Sequence, residues 1–128
     1  MRMEEYMNAN AKFTALANLK EGWWGPGSKA VEPDALDAVE QLLPLLEEEQ
    51  IAFASNGDGA VVLEWVTNKI LRDGRHVRTF YTGVIENSTT IYAIRDAEIL
   101  HGEEMSEELD ETPLANVNEL RQFIIDSL

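Results

Sequence analysis

The stretch "IAFASNGDGAVVLEWV", residues 51–66, decides how this chain is read. Before it, apolar residues recur every three or four positions. From it onward they alternate. "IAFAS" and "AVVLEWV" flank "NGDG", whose two glycines can take the positive φ that a tight hairpin requires. The reading is strand, turn, strand. A second D-G turn lies in "NKILRDGRH" (68–76), followed by a strand in "VRTFYTGVI" (77–85), where Thr82 and Gly83 mark an expected bulge or bend. "ENS" turns the chain, and "TTIYAIRDAEIL" (89–100) makes a fourth strand. Four strands at short spacing predict an antiparallel meander, with Trp65, Phe80 or Tyr81, and Ile91 or Tyr92 supplying alternate side chains to the core.

The flanks read as helix. Met3, Tyr6, Met7, Phe13, Leu16 and Leu19 predict one apolar stripe over residues 3–19. Gly22, Gly25, Pro26 and Gly27 stop it. A second helix starts near Pro33, with Asp34 and Asp37 in its first turns and Leu36, Val39, Leu42 and Leu43 on its buried face. Pro44 is expected to end or kink it. "GEEMSEELDET" (102–112) has only Met105 and Leu109 as large apolar residues and reads as a solvated loop or exposed turn. "PLANVNELRQFIIDSL" (113–128) closes the chain as a helix, Pro113 near its start and Val117, Leu120, Phe123, Ile124 and Leu128 on one face. The predicted fold is α+β: an antiparallel sheet of about four strands, with two N-terminal helices and one C-terminal helix packed on it, in one domain over 1–128.

The chain has 128 residues, 45% of them apolar, which is enough for one core without disulfides. It has no cysteine, so a disulfide scaffold, a thiol nucleophile and thiolate metal sites are excluded. The segment "MRMEEYMNANAKF" lacks the apolar core of a signal peptide, and no apolar run approaches the roughly 20 residues of a membrane span. A cytoplasmic protein is expected. The "NST" at Asn87 is then simply a polar turn.

Charge is the strongest global signal. The sequence carries 24 acidic and 10 basic residues, for a net charge of −14. Direct nucleic-acid binding and anionic membranes are disfavoured, because both need a positive face. A basic protein partner is attracted and steered. The alternative is acidity that serves only solubility. From Asp96 to Glu111, eight acids (Asp96, Glu98, Glu103, Glu104, Glu107, Glu108, Asp110 and Glu111) are offset by no lysine or arginine. Such a run can imitate a phosphate backbone and occupy a nucleic-acid-binding groove. Lys69, Arg72, Arg75 and Arg78 gather around one hairpin, either to pair with those acids or to form a dipolar self-association surface.

"EGWWGPGSKAVEP" (21–33) sets two tryptophans among glycines. Neighbouring side chains in an extended loop point opposite ways. Trp23 is therefore expected to plug the core, and Trp24 to face solvent or a partner; in the alternative, both rings pack within the loop. The stretch "LKEGWWGPGSKAV" resembles the G-W-D-G-x-G-A-x-P-I segment of many small bacterial and phage proteins of unknown function. In those proteins the motif is followed by a helix and a strand ending in L-E-W, here Leu63, Glu64 and Trp65. Trp24 stands where aspartate is usual, Pro26 replaces a common aromatic, and Ser28 replaces alanine. The resemblance implies a phage or mobile-element context and supplies no activity.

No catalytic, metal or cofactor signature is legible. His76 and His101 fall in different elements with no zinc or triad pattern around them. "GPGSK" lacks the spacing of a phosphate loop and follows a helix. The acids of 103–111 lack the glycine-centred calcium pattern. The expected function is therefore a non-enzymatic acidic binding protein, of phage or mobile-element type, that inhibits or sequesters a basic, nucleic-acid-handling partner, as an anti-CRISPR protein does. Its contact residues are expected to be Trp24, Glu103, Glu104, Glu107, Glu108, Asp110 and Glu111. The alternatives are a structural module that forms a homodimer through the sheet or Trp24, and an enzyme built on carboxylates and tyrosines such as Glu64, Tyr81 and Tyr92.

Overall fold

The computed structural model describes residues 8–128. Its order is α1 (Ala9–Ala17), α2 (Pro33–Glu48), β1 (Ala52–Ser55), β2 (Val61–Ile70), β3 (His76–Ile85), β4 (Ile91–His101), β5 (Glu104–Leu114) and α3 (Val117–Ser127). The strands form one antiparallel sheet in the order β1-β2-β3-β4-β5. The fold is α+β, as the change of period predicts, with five strands in place of about four. The Met3, Tyr6 and Met7 part of the first expected helix lies outside the described residues.

Each hairpin is closed by the residues that the sequence offers. Asn56 accepts the Asp58 and Ala60 amides through Oδ1, and Gly57 and Gly59 take positive φ. Asp73 accepts the Arg75 amide in the second turn. Asn87 accepts the amides of Thr89 and Thr90 in the third. The fourth is a two-residue loop, Gly102–Glu103, with Gly102 at φ 67°.

The pleat sorts each strand into two faces. Val61, Leu63 and Trp65 of β2, Tyr81 and Ile85 of β3, and Ile91, Ala93 and Ala97 of β4 share the helix-side face and are buried. Between the alternatives left by the sequence, Tyr81 and Ile91 face the core, and Phe80 and Tyr92 face away. Helix α3 lies over β4 and β5, α2 touches β2, and α1 packs on α2. Leu42, Leu46, Leu120 and Ile124 bring the helices into the same core. Trp65 stacks on Tyr81 at 5.3 Å, and Phe123 meets both rings edge-on. The Trp65 indole N–H donates to Ser127 Oγ at 2.8 Å, and Ser127 donates on to the Ile124 carbonyl. A buried indole needs such a partner.

Four expectations change. The segment 104–114 is a full strand, not a solvated loop. Pairing with β4 along its whole length satisfies the backbone groups on that side and water takes those on the outer side, so it needs no apolar face of its own. Pro113 therefore ends a strand rather than opening a helix. The last helix starts at Val117, where Asn116 caps the Glu119 amide and Glu119 reaches back to the Ala115 amide. Pro44 does not end α2, which runs on to Glu48 because buried Leu42, Leu43 and Leu46 anchor it on both sides of the proline. Thr82 and Gly83 are not a bulge, since register continues through them on both sides. Gly83 is small because a Cβ there would lie 3.3 Å from Leu120 Cδ1.

This one-sided packing makes a contrast that urea titration can read. Leu120→Ala, in the core, is expected to cost about 2–5 kcal/mol. Leu109→Ala, on the far side of the sheet, is expected to stay within about 0.5 kcal/mol of the parent. Equal losses would show that the far face is structural.

Candidate binding surface

All three helices lie on one side of the sheet. On the other side, register brings together Val62, Val84, Tyr92 and Pro113, then Glu64, Thr82, Ile94 and Glu111, then Val66, Phe80, Asp96 and Leu109. Two further rows hold Asn68, Arg78, Glu98 and Glu107, and Ile70, His76, Leu100 and Met105. Among the described residues, no helix covers these rows. Val66, Ile70, Leu100, Met105 and Leu109 are all exposed there, and Ile70, Met105 and Leu109 are each about two-thirds exposed or more. Scattered apolar residues need no explanation, but a contiguous apolar face does.

Five carboxylates punctuate this face: Glu64, Asp96, Glu98, Glu107 and Glu111. Its basic groups among the described residues are Arg78, whose guanidinium sits 5.0 Å from the Phe80 ring centre, and the imidazole of His76. Glu98 and Glu107 are directly opposed across β4 and β5, and Asp96 is their neighbour. Oδ1 of Asp96 is buried and finds no donor among the described residues. The Asp96 side chain, through hydrogen bonding and its charge, and the charge of Glu98 push the Glu107 carboxyl above its ordinary value. At the far turn the reverse holds: the Arg75 amide and guanidinium pull Asp73 below its ordinary value.

The predicted acidic contact residues do not act as one surface. Glu107 and Glu111 project from the open face. Glu104, Glu108 and Asp110 project from the helix side, where Arg95 pairs with Glu108 at 3.5 Å and Asp110 at 3.1 Å. Glu103 sits in the two-residue loop. The strand pleat thus divides a run that is continuous in sequence. Of the four bases around the β2–β3 hairpin, Arg75 pairs with Asp73 of its own turn at 2.7 Å, and none reaches the acidic run in an ion pair among the described residues. Glu64 and Tyr92 share the open face, and Tyr81 is buried on the opposite one. The candidates for an enzyme site therefore do not converge.

Trp24 belongs to the same surface from the side. The loop 20–29 closes on itself: the Gly22 amide donates to the Ser28 carbonyl at 2.9 Å, and the Ser28 amide donates to Gly25. Ser28 Oγ accepts the Trp24 amide at 3.0 Å and donates to the Gly25 carbonyl at 2.8 Å. Gly22, Gly25 and Gly27 all take positive φ, a conformation that this tight path requires. Trp23 is the more buried of the two rings, as expected, but it does not plug the core. It is 37% exposed, stacks on Trp24 at 5.8 Å and donates its indole N–H to the Lys29 carbonyl at 3.0 Å. It braces the loop instead of plugging the core, because repeated glycine turns bring neighbouring side chains to one side. Trp24 is 71% exposed and stands over Gly57, beside Ala52, Ala54, Val62 and Glu64 at the margin of the open face.

The sequence offers the sheet only as a surface for self-association, although Phe80, Tyr92, Ile94 and Val66 signal a second apolar face. Strands with apolar residues on both pleat faces have two faces to cover, and the helices predicted from this chain cover one.

Two outcomes follow. A folded-state Glu107 pKa above the unfolded value means that the native state holds this proton more tightly, so stability falls as pH rises through that interval. Glu107→Gln supplies a permanent donor and removes a charge. It is expected to raise the urea midpoint at neutral pH and to flatten the pH dependence above the ordinary glutamate pKa; a lowered midpoint would contradict this. Ser28→Ala removes both Oγ bonds of the loop, at a cost of about 1–3 kcal/mol, and should loosen Trp24, read as faster acrylamide quenching of its fluorescence in a variant with Trp23 and Trp65 replaced by phenylalanine.

Among the described residues no helix is long and apolar enough to cross a membrane. The chain matches no family model, no curated protein and no solved structure.

Proposed function

We propose that this protein is a non-enzymatic binding protein that sequesters or inhibits a basic protein partner through the open sheet face. The observation that carries this reading is the face itself: an apolar centre at Val66, Phe80 and Leu109, set among five carboxylates. An apolar core with a polar rim is the usual anatomy of a protein interface. Four strands of ten or eleven residues, each occupying about 4.8 Å of width and rising about 3.3 Å per residue, give a face on the order of 600 Å², with the four-residue β1 at its edge. With the Trp24 margin added, this approaches the roughly 800 Å² that each partner contributes to a standard interface.

Charge selects the partner. The carboxylates repel phosphate, so nucleic acid and anionic lipid do not fit the face. Two copies of the face would bring like charges together across a two-fold axis. A basic surface neutralises them. Proteins that handle nucleic acid carry such surfaces, and an acidic occupant competes there with the phosphate backbone. A phage- or mobile-element-encoded inhibitor acting in the cytoplasm, such as an anti-CRISPR protein, is the specific form of this reading; the G-W-W-G loop resemblance and the absence of cysteine support it.

The second reading is a homodimer through the same face, favoured by its exposed Ile70, Met105 and Leu109. One experiment separates the two. Immobilised protein and a Val66→Glu, Leu109→Glu double variant are exposed to host lysate at low and high salt, and sedimentation of the free protein is followed. We expect a basic partner that is retained by the parent, lost with the double variant and weakened by salt, since exposed charges are screened over about 8 Å at physiological ionic strength. Retention by the double variant would overturn the face as the site. A parent that sediments as a dimer and a variant that sediments as a monomer would support self-association instead.

A further inference from the structure

We propose that the free edge of β1 is a docking site for an extended segment of a partner protein, uncharged over about four residues and flanked by lysine or arginine. The register of β1 on β2 fixes which of its backbone groups are free. The Asn56 amide donates to the Ala60 carbonyl, and these residues continue the ladder in which Ala54 faces Val62 and Ala52 faces Glu64. Bonded and non-bonded pairs alternate in an antiparallel ladder. Ala52 and Ala54 therefore bond to β2, and the N–H and C=O groups of Phe53 and Ser55 point outward. Residues 52–55 make no other backbone hydrogen bond among the described residues.

The edge is capped immediately beyond this point. The Lys29 amide donates to the Gly57 carbonyl and the Glu32 amide to Gly59, both at 2.8 Å, so the chain covers the edge at 57–59 and leaves 52–55 open. Trp24 forms one wall of a groove of about 340 Å³ along this opening, with Ala52, Ala54 and Val62 among its lining. The other edge of the sheet is defended differently: β5 carries Glu104, Glu107, Glu108, Asp110 and Glu111 and ends in Pro113–Leu114. Charges and proline are the usual protection of an edge strand. β1 carries no charge and no proline.

Backbone complementarity requires an extended occupant, because only a strand presents donors and acceptors at the spacing of Phe53 and Ser55. Charge complementarity sets its flanks. β1 is preceded by exposed Glu48 and Glu49 and followed by exposed Asp58, and exposed Glu64 faces Ala52; Lys29 is the base on the capping segment. The edge adjoins the open face at Trp24, Val62 and Glu64, but it lies at β1, whereas Val66 and Leu109 lie in the central row of the face, so the two contacts can be tested apart.

The test uses the full chain and a synthetic peptide, Lys-Arg-Val-Thr-Val-Thr-Lys-Arg, followed by amide and indole NMR shifts. Shifts are expected at Phe53, Ser55 and the Trp24 indole, with saturable binding. Methylating the peptide's alternate backbone nitrogens on its pairing edge, or exchanging its flanks for glutamate, should each weaken binding about tenfold or more, the equivalent of about 1.4 kcal/mol. Ser55→Pro removes an outward N–H without touching the β2 ladder and should weaken binding similarly, whereas Ser55→Ala, which also lacks the Oγ contact to Gly57, should bind as the parent does. The Val66→Glu, Leu109→Glu variant should bind the peptide normally, so failure here and failure of the face reading remain distinct. Equal binding of the methylated peptide, shifts confined to the open face, or concentration-dependent shifts at β1 without peptide, which would mean that a second copy occupies the edge, would each overturn the proposal.

Discussion

The centre of this molecule is the seating of α3 on the sheet. Gly83 leaves the space that Leu120 fills, and Trp65 is held between Tyr81, Phe123 and the Ser127 hydroxyl. These contacts fix which pleat face is inside. A slip of one residue in β2 or β3 would send Trp65 and Tyr81 to the far side and leave the indole N–H without its partner. Once α3 and α2 occupy one face, every alternate residue of the four long strands β2–β5 is committed to the other. The exposure of Val66, Ile70, Leu100, Met105 and Leu109 is thus a direct consequence of the same packing that stabilises the core.

The acidic strand β5 has two consequences that the sequence merges into one. As an edge strand it presents unpaired backbone groups, and its carboxylates discourage a further strand from adding there. As a pleated strand it sends Glu107 and Glu111 towards the open face and Glu108 and Asp110 towards Arg95. Edge protection accounts for acidity anywhere along β5. It does not account for Asp96 and Glu98, which lie on the interior strand β4 at the cost of a crowded carboxylate cluster with Glu107. Within the sheet this cluster is faced by Arg78, opposite Glu98 across β3 and β4; under the proposed reading a basic partner supplies the remaining counter-charge.

The change from a period of 3.6 to a period of 2 after residue 50 is enough to read the fold class and strands one to four from sequence, because those strands have apolar residues wherever a helix covers them. β5 was not readable in this way. One side of its backbone is paired by β4 and the other is solvated, its side chains are exposed on both faces, and so it carries no alternation; only Gly102 and the Asn116–Glu119 cap betray its two ends. The tryptophan loop is legible in the exposure of Trp24 and the greater burial of Trp23, but not in the stacking of the two rings, since serial positive-φ glycines undo the alternation of an extended chain. The open face is a property of which side the helices choose, and no local pattern specifies that choice.

The central claim is that the uncovered face, with Trp24 at its margin, is the contact surface for a basic partner. Hydroxyl-radical footprinting of the complex with its captured partner tests this most directly, since it reads side chains and can tell one face of a strand from the other. Met105, Leu109, Tyr92 and Trp24 should lose reactivity on binding, while Ile125 and Leu128, exposed on the helix side, should react as they do in the free protein. Protection of Ile125 and Leu128 with Met105 and Leu109 unchanged would place the partner on the helices and contradict the account.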